Sequence, residues 1–276
     1  MGVDRRLGVA ALMTAGAVFV STLGSPGVAS ARTAVAAPSA VAVAATAAAT
    51  GTTGAATGTA AFAAPGKTLK IGAKGAAVKV LQTRLKELGY LPGKIDSRYG
   101  GATQAAVWAF QKVNGIAPTS TVARRTWTAL EAPKAPKVLV PRGKPTRVEM
   151  NLTTQVMVLY VGGRVKLISH TSSGSGIPYC ETATWGGKVQ RFCGDARTPT
   201  GDYKTTWRRD GWHKSYLGQL YNPIFFNGGI AFHGALSVPL APASHGCVRL
   251  PMNVAAVLPG LLGKGVPVHV RGKFVR

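Results

Sequence analysis

A histidine and a cysteine near the C-terminus are the residues of this chain best suited to chemistry. His233 lies in Ile230-Ala231-Phe232-His233-Gly234, and Cys247 lies in Ser244-His245-Gly246-Cys247-Val248-Arg249. A thiolate is the most nucleophilic ordinary side chain. A neighbouring imidazole can take the thiol proton and hold an ion pair at neutral pH. The two segments therefore predict covalent catalysis by cysteine, with His233 as general base.

The residues beside this pair indicate how it would be supported. Gly246 lets backbone and substrate approach the cysteine closely, and backbone N–H groups at such a turn can face a developing oxyanion. After position 205 the only acidic residue is Asp210. We therefore expect a backbone carbonyl, that of Gly234, to orient His233 in place of a carboxylate.

Other uses of these side chains are less consistent with the sequence. A zinc site built from His233, His245 and Cys247 would lack a regular fourth ligand. The chain has no Cys-x-x-Cys pair, which argues against a zinc ribbon or a thioredoxin-type redox site. We expect neither a metal nor another cofactor. Papain-like proteases place their cysteine before their histidine, the reverse of the order here.

The elements that would position the pair belong to a mostly-β domain over residues 147–272. Apolar residues alternate with polar ones on both sides of Gly162-Gly163, which predicts a hairpin. The same criteria predict further strands and one helix. The strands are 201–207, 229–233 and 266–271, and the helix is 254–262.

A smaller helical unit precedes it at residues 67–133. Apolar side chains at helical spacing predict three helices. The first ends at Gly89, the second is capped by Thr103 and closed by Asn114-Gly115, and the third spans Thr126 to Leu130. The expected fold is a compact three-helix bundle. Residues 134–146 follow as a Pro/Lys linker, expected to act as a semi-rigid spacer.

The N-terminus has the three-part pattern of a secretory signal. Arg5 and Arg6 precede an apolar run, and Ala29-Ser30-Ala31 suits cleavage after residue 31. An uncleaved membrane anchor is the alternative. Residues 32–66 are rich in Ala, Thr and Gly and predict a flexible tether. We expect the mature protein to be secreted and associated with the cell wall or envelope.

Composition limits the function further. The chain has 276 residues, 33 Lys+Arg against 9 Asp+Glu, and a net charge of +24. So few acids leave little room for a paired-carboxylate hydrolase. Strong positive charge favours anionic partners. The expected export and the lack of any nucleic-acid motif argue against nucleic acid as a partner. The expected partners are therefore anionic wall polymers. The alternative is that the positive charge serves only general solubility.

The catalytic segments resemble a known family. His233-Gly234 followed by Ser244-His245-Gly246-Cys247-Val248-Arg249, with Thr198-Pro199-Thr200-Gly201 upstream, resembles the YkuD-type L,D-transpeptidase catalytic domain. The resemblance implies that Cys247 is the nucleophile and His233 its base. The supporting residues would be Gly234, Ser244, His245, Gly246 and Arg249. Arg249 would bind a substrate carboxylate or fix its loop by hydrogen bonds to backbone, the second being favoured.

The helical unit resembles the peptidoglycan-binding three-helix domain of bacterial wall enzymes. The residues that carry this resemblance include Leu69-Lys70-Ile71-Gly72, Leu88-Gly89-Tyr90, Tyr99-Gly100 and Phe110-Gln111. Both resemblances together imply an exported enzyme that cross-links peptidoglycan stem peptides through a Cys247 thioester and releases D-Ala. They also imply inhibition by carbapenem-type β-lactams.

Two alternatives stay open, a hydrolase of the same stems and a non-catalytic wall-binding protein. Three aromatic residues, Trp212, Tyr221 and Phe225, are candidates to line the substrate groove, with core packing as the default. Cys180 and Cys193 lie in an insert at 174–197 in which substrate selection is open. In an oxidising compartment we expect them to pair, which would leave Cys247 as the only free thiol.

Overall fold

A computed structural model describes residues 62–273. The predicted signal segment and nearly all of the tether lie outside the described residues. Four helices are α1 (Ala76–Glu87), α2 (Gly101–Val113), α3 (Arg124–Glu131) and α4 (Met252–Leu261). Within residues 62–273, none is long and apolar enough to cross a membrane.

Residues 62–273 also contain eleven strands. They are β1 (Arg147–Asn151), β2 (Val156–Val161), β3 (Arg164–His170), β4 (Tyr179–Trp185), β5 (Lys188–Gly194), β6 (Gly201–Lys204), β7 (Trp212–Ser215), β8 (Gly218–Asn227), β9 (Ile230–Gly234), β10 (Val248–Leu250) and β11 (Pro267–Arg271). The predicted class, a helical bundle followed by a mostly-β domain, is confirmed.

Two sheets and α4 enclose the core of the β domain. The first sheet has the order β3-β2-β1-β11-β6 and the second β10-β9-β8-β7, while β4 and β5 form a separate hairpin. Side chains that alternate along the strands bury one face of each sheet in a shared core. That core includes Met150 and Leu159 of the first sheet, Phe232 and Val248 of the second, and Leu258 of α4.

The second helix begins differently from the prediction. Its N-terminal cap is Gly100, and no side chain caps the helix. Thr103 lies inside α2 and is buried. Its hydroxyl donates to the Pro92 carbonyl at 3.0 Å and accepts from Gln82 Nε2 at 3.1 Å. A buried hydroxyl needs such partners, so Thr103 joins the bundle's segments instead of capping one.

The helical bundle shares a core with the first sheet. Val156, Val158 and Tyr160 alternate along β2 and pack with the apolar side chains of the bundle, while the intervening residues face the other core. The Ile168 N–H donates to the Gly89 carbonyl at 2.9 Å. Both faces of β2 are therefore buried.

The linker is attached along its length. The Lys134 N–H donates to Asn114 Oδ1 at 2.9 Å, and the Leu139 N–H donates to Glu149 Oε2 at 2.7 Å. Glu149 is buried and forms an ion pair with Arg147 at 2.7 Å. Because a buried carboxylate needs a charge partner and hydrogen bonds, Glu149 holds both the linker and β1. The linker is thus part of the folded unit and not a free spacer.

Candidate active site

The histidine lies on β9, and the cysteine directly precedes β10, the parallel strand beside it. Arg249 of β10 is paired with His233 of β9, and the Ala231 N–H donates to Cys247 Sγ at 3.4 Å. Side chains two residues apart on a strand share a face. Cys247, Ala231 and His233 therefore face one side of the second sheet, while Phe232 between them enters the core.

A backbone carbonyl orients the histidine. His233 Nδ1 lies 2.9 Å from the Gly234 carbonyl oxygen. Because a carbonyl only accepts hydrogen bonds, Nδ1 carries the proton and Nε2 keeps its lone pair. Gly234 itself has no room for a side chain, since a Cβ there would lie 2.9 Å from Ala255 Cβ and 3.0 Å from Tyr221 Cδ1.

The turn before the cysteine is closed by hydroxyl groups. Gly246 has a φ of 134°, which favours glycine. Its N–H donates to Ser244 Oγ at 3.0 Å, and the Ser244 hydroxyl donates to the Cys247 carbonyl. Thr198 Oγ1 donates to the Gly246 carbonyl at 2.5 Å. The Gly246 amide is therefore already engaged, so the sequence-based expectation of an oxyanion donor is not met at this residue.

Burial sets the protonation of the pair. Desolvation raises the pKa of the Cys247 thiol, although the Ala231 N–H and the charge of Arg249 oppose this shift. Desolvation also lowers the pKa of His233 to about 4, against the hydrogen bond to Gly234. Both shifts favour a neutral thiol and a neutral imidazole. The expected resting ion pair is therefore disfavoured in the free enzyme, because the site is drier than the sequence suggests.

The guanidinium of Arg249 is free. Within residues 62–273 it makes no hydrogen bond, whereas the Arg249 backbone pairs with that of Ser172. The favoured prediction, a side chain fixed to loop backbone, is therefore wrong. The side chain is partly buried and follows Cys247 by two residues, so it lies on the same face as the sulfur.

A groove of about 830 Å³ lies over this face. Its lining includes Cys247, His233, Arg249 and His245. Of the three aromatic candidates, Trp212 and Phe225 also line it. Tyr221 is not among the lining residues: its ring packs against that of Trp212, with centroids 5.3 Å apart, and beside Gly234.

The insert forms the hairpin β4–β5 beside the groove. Cys180 and Cys193 are opposite each other in the hairpin and form the predicted disulfide. Both are exposed, on the outer face. On the inner face, Phe192 stacks on Tyr216, which lies between β7 and β8, with ring centroids 4.0 Å apart. The two hairpins therefore meet at the groove.

Sequence reasoning missed three residues that support the catalytic segment. Glu181 Oε1 lies 2.7 Å from His245 Nε2, and the Tyr179 ring meets the His245 ring edge-on at 4.5 Å. Thr198 supports Gly246 as described. Thr198 stands in the quoted Thr-Pro-Thr-Gly segment and could have been identified there. The two hairpin residues had no signal beyond proximity to Cys180.

Comparisons with known proteins agree with this architecture. A family model of a peptidoglycan binding domain matches residues 74–130, and one of the L,D-transpeptidase catalytic domain (YkuD) matches residues 145–270. None of the curated proteins matches the chain.

Solved structures of similar proteins include two from bacteria with the same domain. The L,D-transpeptidase of Xylanimonas cellulosilytica is 38% identical, with a TM-score of 0.64, and the match covers 74% of this chain and 98% of that one. An L,D-transpeptidase of Stackebrandtia nassauensis is 24% identical, with a TM-score of 0.41, and the match covers 74% and 95%. The identity and coverage of the first match place the present chain in the L,D-transpeptidase family.

Proposed function

We propose that this transpeptidase is exported and cross-links peptidoglycan stem peptides through a thioester on Cys247. The observation that carries the proposal is the placement of Cys247, directly before β10, and of His233 on β9 on one face of the second sheet, beneath the groove. The free guanidinium of Arg249 on that face is suited to a substrate carboxylate.

Acylation begins from the neutral pair. His233 Nε2 takes the thiol proton as Sγ attacks the carbonyl carbon of the third, diamino-acid residue of a tetrapeptide stem. The resulting imidazolium then donates that proton to the nitrogen of the terminal D-Ala, and the C–N bond breaks. The product is a thioester on Cys247, free D-Ala and a neutral His233.

Transfer completes the reaction. The side-chain amine of a neighbouring stem attacks the thioester carbonyl, the C–S bond breaks, and the new amide joins the third residues of the two stems. Water in place of the amine would give hydrolysis. A base must accept the protons that the amine loses, and His233 accepts one of them.

The same face suits inhibition by carbapenem-type β-lactams. Their reactive carbonyl would be attacked by Cys247 in the position of the stem carbonyl, leaving an adduct on sulfur. The helical bundle would bind wall polymer, and its shared core with the first sheet would hold the catalytic face at a fixed orientation to that polymer. The net charge of +24 supports accumulation at an anionic wall.

Mass spectrometry of purified wall stems incubated with the enzyme tests the proposal. We expect cross-linked dimers together with released D-Ala, and no product with Cys247→Ser, because a hydroxyl is a far weaker nucleophile. Shortened monomers without dimers would indicate the hydrolase. Unchanged stems, with a folded wild-type protein, would contradict an enzymatic role.

A further inference from the structure

Glu181 places a carboxylate on a histidine that lines the groove. The distance from Glu181 Oε1 to His245 Nε2 is 2.7 Å. Because a carboxylate only accepts hydrogen bonds, Nε2 of the neutral ring carries the proton. Nδ1 then holds a lone pair, and it makes no hydrogen bond within residues 62–273. His245 thus has the arrangement of an oriented general base.

The hairpin holds this carboxylate in place. Glu181 follows Cys180 directly, so the disulfide to β5 lies one residue away. The Ser175 N–H, just before β4, donates to the Ser244 carbonyl at 2.8 Å, next to His245. Ring contacts from Tyr179 to His245 and from Phe192 to Tyr216 fix the inner face. The hairpin is therefore joined to the segment from Ser244 to Cys247 at two places, through Ser175 before β4 and through the contacts of β4 with His245.

The second half of the reaction needs a second base. An alkyl amine such as a lysine side chain has a pKa of about 10.4, so the acceptor arrives as an ammonium ion near neutral pH. Formation of the amide removes two protons from that nitrogen. His233 is neutral after acylation, takes one of them and passes it to the leaving thiolate, which restores the neutral pair. The other proton needs a different acceptor, a role that a base lining the groove can fill.

We propose that His245 is a second general base that takes the first proton from the acceptor ammonium, and that Glu181 is its positioning residue. His245 Nδ1 accepts the ammonium proton, the neutral amine attacks the thioester, and the second proton passes to His233. The imidazolium of His245 later releases its proton to solvent. This inference rests on the proposed function, since it requires a thioester on Cys247.

Acceptor amines of different basicity test the proposal. Full-length wild type and Glu181→Gln are loaded with a tetrapeptide stem, and loss of the adduct is followed by mass spectrometry with free lysine or with methoxyamine. Methoxyamine is uncharged near neutral pH and needs no prior deprotonation. We expect Glu181→Gln to slow aminolysis by lysine at least about tenfold, with methoxyamine aminolysis and the rate of acylation unchanged.

Two further variants make the result specific. Asp202→Asn removes another carboxylate that pairs with a histidine, His269 at 2.5 Å, but is not among the residues that line the groove, and should behave as wild type. His245→Gln should show the same lysine-selective loss as Glu181→Gln. Equal losses with both amines, or none with either, would overturn the proposal. If wild type forms no adduct at all, the proposed function fails first, and this inference fails with it.

Discussion

His170 offers a quantitative test of how the helical bundle and the β domain are joined. The side chain is 1% exposed, and its Nδ1 lies 2.9 Å from Lys112 Nζ of α2. Its Nε2 lies 3.0 Å from the Val238 carbonyl, in the loop between His233 and Cys247. Desolvation, and secondarily the charge of Lys112, lowers the pKa of His170 from 6.5 to about 4.

The sign of the pH dependence follows from this shift. Between pH 6.5 and pH 4 the unfolded chain binds a proton at His170 and the folded chain does not, so the free energy of unfolding falls as the pH falls. With a folded pKa of about 4, the loss between pH 7.5 and pH 4.5 is about 2.5 kcal/mol. The same treatment applies to His233, which contributes equally to wild type and variant and cancels.

The assay compares wild type with His170→Gln by urea denaturation at both pH values. The variant's own destabilisation is present at each pH, so only the difference between the two pH values matters. We expect the stability gap between wild type and variant to shrink by about 2.5 kcal/mol at pH 4.5. A gap independent of pH would show that His170 is not buried in its neutral form.

Three other expectations follow from the described contacts. Thiol counting on denatured, unreduced protein should find one reactive cysteine, and a count of three would contradict the disulfide. Reduction of Cys180–Cys193, which are separated by 13 residues in sequence, should lower the free energy of unfolding by about 3 kcal/mol. Gly246→Ala should lose about 1–3 kcal/mol of stability and most turnover, because a Cβ there meets a carbonyl oxygen at 3.1 Å on a backbone with positive φ; a variant with wild-type melting and turnover would refute this. The acid limb of kcat/KM should lie near pH 4, where His233 gains a proton. A limb near pH 6.5 would mean that burial does not lower the pKa of His233, and the argument against the expected ion pair would fail.

Local patterns carry enough information to predict much of the framework. The β2–β3 hairpin follows from alternation on either side of Gly162-Gly163, and both glycines have positive φ in the turn. The helix predicted at 254–262 is α4, two residues earlier at its start. The pairing of Cys180 with Cys193 is predicted from an expected export to an oxidising compartment and from the number of cysteines.

Features that depend on contacts between distant segments are not predictable in this way. The hairpin β4–β5 is exposed over most of its length, so it lacks the apolar alternation that marked β2 and β3. The helical bundle and the first sheet share a core, although the sequence predicts two units that fold separately. The protonation states of Cys247 and His233 are not predictable from local patterns either, because their pKa shifts are caused by burial among segments distant in sequence.

The central claim is a thioester on Cys247, and the mass of the intact protein tests it most directly. On mixing with a tetrapeptide stem and no acceptor, we expect wild type to gain the mass of the stem less that of D-Ala, and the adduct to map to the peptide that contains Cys247. Cys247→Ser should gain nothing. An adduct on any other residue, or stem turnover by Cys247→Ser at the wild-type rate, would contradict the account.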